Sequence, residues 1–171
     1  MKTIATLLLL TICLGCATTR FNTNTDRGTL PEFSRILVVS KVPLQKRDYI
    51  FQYLTAFPIE YEVCAIEASV LAFGNPDSLV REKIKQCDSQ VMLTIQPYND
   101  FVSGTGKYAT GYSEFLVEMT DLATNKPFWK SIAVTAGGSW PNVGETVRQL
   151  RRDGVITGSL RAADVMTPAS R

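Results

Sequence analysis

The chain has 171 residues, 45% of them apolar, with 18 basic and 16 acidic side chains and no histidine. That length and apolar content suit one folded domain with a single core and exclude a disordered chain. The near balance of charge argues against nucleic-acid binding and a polybasic membrane patch, and the missing histidine removes Ser-His-Asp and Cys-His catalysis and the commonest zinc ligand.

The N-terminus reads Met1-Lys2-Thr3, then an apolar stretch from Ile4 to Leu14, then Gly15-Cys16. A positive start, a short apolar run and a small residue are the parts of a secretory signal. The run is too short to span a bilayer, which takes about 20 apolar residues. With a cysteine directly after the small residue, Cys13-Leu14-Gly15-Cys16 resembles the lipobox of bacterial lipoproteins, departing from it at Cys13, where leucine is usual. The resemblance implies a signal peptide over residues 1–15 and a lipid, palmitate included, on Cys16, now the first residue. Several acyl chains on one cysteine anchor stably. It also implies the bacterial cell envelope. Ala17 replaces the aspartate that resembles an inner-membrane retention signal in enteric bacteria, which points to the outer membrane and a periplasm-facing domain. Loss of Lys2 with the signal leaves 17 basic residues against 16 acidic ones, 18 less one.

Residues 16–31 read as the lipidated cysteine and a flexible tether, because Ala17 to Pro31 is rich in Thr and Asn and has no apolar period. About 15 such residues give a root-mean-square reach of roughly 20 Å. A domain over residues 32–156 follows. Arg35 to Val42 is rich in β-branched residues and predicts a strand covered on both faces. Asp48 to Phe57 places Ile50, Phe51, Leu54 and Phe57 at helical spacing, and Pro58 ends that helix. Tyr61 to Ile66 is a second strand. Asn75-Pro76 is an N-cap with proline at the first helical position, and Leu79, Val80, Ile84 and Cys87 share one face of the helix that follows. Gln90 to Gln96 is a third strand. Ser113 to Asp121 alternates, with Phe115, Val117 and Met119 on one side, and Phe128 to Thr135 completes a hairpin with it. A last helix runs from Asn142 to Asp153, with Val143, Val147 and Leu150 inward, and Gly154 stops it. Residues 157–171 read as a weakly ordered tail.

This order predicts an α/β fold with an α+β tendency. Its core is a five-stranded mixed sheet, βαβαβ followed by an antiparallel hairpin and a C-terminal helix, with right-handed crossovers. The second helix runs back along its strand, so Cys87 should end near Cys64. That pair is placed either for a disulfide, which an exported compartment permits, or as two buried free thiols.

The hairpin carries Asp121-x-x-Thr124-x-Lys126-x-x-Trp129. After βαβαβ, this pattern resembles a broad group of bacterial envelope lipoproteins with folds like the N-terminal domain of TolB and the curli-secretion lipoprotein CsgG. The resemblance covers roughly residues 33–153. It implies a turn shaped by Asp121 and Thr124, a Trp129 packed on the sheet or a helix, and a non-enzymatic accessory role. The regions by which CsgG-like proteins form pores are missing, so pore formation does not carry over.

No motif calls for a metal or another cofactor, and no catalytic set emerges. Glu114 and Glu118 share a strand face but stand about 13 Å apart, beyond the reach of a glycosidase pair. The stretch Gly104 to Gly111 lacks the Ser or Thr, the first glycine and the following helix of a phosphate-binding loop. It reads instead as a mobile loop between strands. Tyr98, Phe101, Tyr108 and Tyr112 flank its glycines and are candidates for partner contact, since aromatics are enriched at interfaces; equally, they could cover the end of the sheet. Trp140 is either a further anchor or a hydrophobic staple before the last helix. The expected role is a lipid-anchored, non-enzymatic interaction module of an envelope complex with a protein partner and no nucleic acid. The alternative is a small-ligand binder with a cleft between sheet and helices.

Overall fold

The computed structural model describes residues 19–26, 28, 30–42, 48–68 and 74–159. The signal segment 1–15, Cys16 and the tail from 160 onward lie outside the described residues.

The strands are β1 (Arg20–Thr25), β2 (Arg35–Ser40), β3 (Glu62–Glu67), β4 (Val91–Ser103), β5 (Thr110–Asp121) and β6 (Lys126–Ala136). The helices are α1 (Asp48–Phe51), α2 (Tyr53–Ala56), α3 (Pro76–Gln86) and α4 (Val143–Arg152). The strands form one six-stranded mixed sheet in the order β1-β6-β5-β4-β2-β3. β2 is parallel to both β3 and β4, while the β4–β5, β5–β6 and β1–β6 pairs are antiparallel. The expected mixed sheet is therefore present, with one strand more than expected.

That sixth strand corrects the reading of residues 16–31 as a flexible tether throughout. Arg20–Thr25 pairs along its whole length with β6, from Arg20 opposite Val134 to Thr25 opposite Trp129. The physical reason is an alternation that its polar composition hides. Phe21, Thr23 and Thr25 turn toward the body, while Arg20, Asn22 and Asn24 face solvent. Threonine is β-branched and suits a half-buried strand. Thr19 extends the attachment: its N–H donates to Glu145 Oε2 at 2.8 Å, and its Oγ1 accepts from Asn142 N–H at 3.0 Å.

One face of the sheet holds the main core. Ile36 and Val38 of β2, Leu93 and Ile95 of β4, Val117 and Met119 of β5, and Trp129 and Ala133 of β6 are all buried there under α1, α2 and α4. α4 presents Val143, Val147 and Leu150 to this core, as its spacing predicts, and Asn142 caps it by accepting from Glu145 N–H at 3.0 Å. Trp129 is fully buried, and its Nε1 donates to Asp153 Oδ2 at 2.7 Å, which ties β6 to the end of α4.

The other face carries a smaller core, Leu37 and Val39 under Val80 and Ile84 of α3. Asn75 caps α3, its side chain accepting from Asp77 and Ser78 N–H.

Two further expectations need correction. The predicted helix from Asp48 to Phe57 is broken at Gln52 into α1 and α2. The tail is not loose from its first residue, because Thr157 N–H donates to Tyr61 Oη at 3.0 Å.

Candidate functional site

The distinctive surface is built by β4 and β5. Their pairing runs beyond the rest of the sheet, to Val102 opposite Gly111 and Ser103 opposite Thr110. β2 stops pairing at Ile95, and β6 ends at Ala136 opposite Tyr112. Of the stretch Gly104 to Gly111 expected to be a loop, only Thr110 and Gly111 are strand, and the rest is the turn; the strands on either side are longer than expected and form a two-stranded arm. A short 3-10 helix, Gly106–Tyr108, forms the tip.

Among the described residues, Pro97 has no strand neighbour on the β2 side of β4, and the register shifts between Pro97 and Asn99. A residue without an N–H is tolerated at such a free edge and bulge. Gly104 adopts φ +91°, and a Cβ there would stand 2.6 Å from the Tyr108 carbonyl oxygen. The turn thus requires glycine, both for its backbone conformation and for the close approach.

Of the residues expected to contact a partner, Phe101 and Tyr112 face each other across the arm and stack, with ring centroids 5.2 Å apart. Tyr98 and Tyr108 are exposed, at 64% and 75%, as is Val102 at 69%. Lys107 Nζ lies 5.2 Å from the centre of the Tyr108 ring.

Trp140 separates from this group. It packs edge-on against Tyr49 at 4.8 Å and is half-buried against the main core. Tyr49 Oη donates to the Pro141 carbonyl at 3.0 Å and lies 3.3 Å from Tyr53 Oη. Burial pushes the hydroxyls of both tyrosines above the usual tyrosine range, Tyr49 well above it.

Running back from the arm, β5, β6 and β1 and the arm end of β4 leave one face uncovered by any described helix, since α3 lies over β2 and the core beneath it reaches only to Met92 at the start of β4. The register sets Leu116 opposite Ile132, Glu114 opposite Val134, and Tyr112 opposite Ala136 on this face. Leu116, Ile132 and Val134 are half-buried, and they continue onto the Phe101–Tyr112 stack. Polar partners frame the strip. Lys130 Nζ pairs with Glu118 Oε2 at 2.7 Å, and Asn99 Nδ2 donates to Glu114 Oε2 at 3.4 Å. Glu114 and Glu118 thus have separate structural partners.

Cys64 and Cys87 are joined by a disulfide, with Cα atoms 6.4 Å apart. The turn Asp121 to Thr124 takes the expected form. Thr124 Oγ1 donates to Asp121 Oδ2 at 2.6 Å and Ala123 N–H to Oδ1 at 3.0 Å, and these bonds hold the Asp121 carboxyl below its usual range. Asn125 completes the turn at φ +54°.

A groove of about 290 Å³ runs beside β1, lined by Asn24, Thr25, Asp26, Pro127, Phe128, Trp129 and Lys130. It is open and largely polar. No three acidic or cysteine side chains among the described residues gather to hold a metal ion. Sequence reasoning missed β1 and the uncovered face. The alternation of Phe21, Thr23 and Thr25 was the available signal for β1. The face had none, because a bare face depends on where helices pack.

No protein-family model matches the chain, and comparison with curated proteins finds no match. Among solved structures the chain is similar to the PelC dodecamer from Paraburkholderia phytofirmans, at 11% identity and a TM-score of 0.42, over 77% of this chain and 91% of that one. It is also similar to the lipoprotein GNA1162 from Neisseria meningitidis, at 15% identity and a TM-score of 0.39, over 70% of this chain and 96% of that one. Likeness at this level assigns neither family nor function.

Proposed function

We propose that this chain is a lipid-anchored protein of the bacterial envelope, held at the outer membrane through Cys16, and that it serves as a non-enzymatic interaction module for a protein partner. The supporting observation is the uncovered sheet face, where Leu116, Ile132 and Val134 run onto the Phe101–Tyr112 stack with no described helix over them. A contiguous apolar strip framed by charged and polar groups has the make-up of an interaction surface. A small-ligand binder calls for an enclosed, mainly apolar pocket, and the groove beside β1 is open and largely polar. The interaction role is therefore preferred.

The test is photo-crosslinking in intact cells. A photoreactive side chain at Ile132 should give a discrete adduct with one envelope protein, whereas the same group at exposed Lys85 of α3 should give none. No adduct at Ile132, or the same diffuse labelling at both positions, would overturn the assignment.

A further inference from the structure

Cys16 precedes Arg20 by four residues, so the Cα of Cys16 can stand no more than about 14 Å from the start of β1. β1 begins at the end of the sheet where β6 stops and the arm projects, because Arg20 is opposite Val134 and Ala136 is opposite Tyr112. Val134 lies opposite Glu114, and β5 begins at Thr110, so from the level of Arg20 the arm extends four residues, about 13 Å, before its turn begins. The link to Cys16 therefore reaches no farther along the strands than the arm does. Sideways, only β6 separates β1 from β5, which sets the two about 10 Å apart. A bilayer that holds the lipid of Cys16 is thus within reach of the tip of the arm.

The tip carries chemistry suited to that surface. Tyr108 and Val102 are the most exposed apolar side chains of the arm, and Val102 lies opposite Gly111, which offers no side chain to cover it. A tyrosine ring, apolar with a polar tip, settles at the headgroup level of a membrane. Lys107 beside it and exposed Arg20 at the start of β1 can meet lipid phosphates while their stems lie along apolar surface. Such a contact would be weak in free solution. Tethering through Cys16 turns it into an intramolecular event at high effective concentration.

The geometry points to the tip of the β4–β5 arm, with Val102, Lys107 and Tyr108, as a second membrane contact that docks on the headgroup layer of the bilayer holding Cys16. The inference rests on the lipid anchor proposed above. The two contacts together hold the strands steeply to the membrane and turn the uncovered sheet face sideways, toward a neighbour in the same membrane.

The test uses full-length lipidated protein in vesicles of phosphatidylethanolamine and phosphatidylglycerol that contain a lipid spin-labelled at the headgroup. With Cys16 lipidated and Cys64 bonded to Cys87, an introduced cysteine is the only free thiol. Ala109→Cys at the tip and Ala123→Cys at the opposite turn each receive an environment-sensitive dye, and mass analysis of the N-terminal peptide reports the lipid. The dye at 109 should shift to the blue and be quenched, the dye at 123 should do neither, and adding Tyr108→Asp should reduce the response at 109. Lipid on Cys16 with identical behaviour at 109 and 123 would overturn the arm contact and leave the anchor standing. An unmodified Cys16 would overturn both. A dye at 109 that is shielded in native membranes but not in the protein-free vesicles would overturn the lipid contact in favour of a protein one.

Discussion

Tyr49 and Tyr53 show how much single side chains do at the junction of α1, α2 and α4. Their hydroxyls are buried together, and Tyr49 is satisfied by the Pro141 carbonyl. Burial favours the neutral phenol, so both pKa values are raised in the folded chain. The unfolded chain keeps the ordinary value near 10. Stability from these groups is therefore complete below about pH 10 and is lost as pH rises from there through the raised folded values. On alkaline titration, the last tyrosinate absorbance should appear together with loss of near-ultraviolet circular dichroism. Complete ionisation of all six tyrosines with the fold intact would contradict this. Trp129 belongs to the same scale. Its aromatic body fills the core while its indole N–H needs an acceptor, and half-buried Asp153 supplies one.

At the level of elements, periodicity was legible where packing is one-sided. α4 and β5 carry clean periods of their own kind, and each buries the residues its period selects. β1 was obscured because its Thr and Asn suit both strands and loops. The arm was obscured because glycines at its tip suggested that the flanking residues were loop as well, whereas cross-strand pairing extends past Phe101 and Tyr112 to Ser103 and Thr110. The link between β3 and the end of α3 was partly legible, since a helix that returns along its strand brings Cys87 toward Cys64. The disulfide spans 23 positions, and a loop of that size restricts the unfolded chain by about 3 kcal/mol. Cys64→Ser combined with Cys87→Ser should lower stability by about that amount in urea unfolding. An unchanged midpoint would show that the bond contributes nothing.

For the whole molecule, the proposed attachment and the fold are separable. The described domain closes its own core, and among the described residues no helix is long and apolar enough to cross a membrane. Cys16→Ser should therefore move the protein from the membrane to the soluble fraction with its thermal unfolding midpoint unchanged. Continued membrane association of this variant would refute a lipid anchor at that position. β1 makes the issue geometric, since pairing from Arg20 onward shortens the expected tether to the few residues before it, and a body anchored through Cys16 would have little freedom above the bilayer.

What could be read from residues alone is local: the strand and helix periods, the cap at Asn75, the Asp121–Thr124 turn and the signal-like N-terminus. Each depends on side chains within a few positions of one another. The bonding of Cys64 to Cys87, the docking of Arg20–Thr25 on β6, the inward turn of Trp140 onto Tyr49 and the bare face behind Leu116 and Ile132 depend on contacts between residues distant in the chain. Those contacts follow from which strand edge is left open and which face the helices fill, and no short stretch of sequence encodes either.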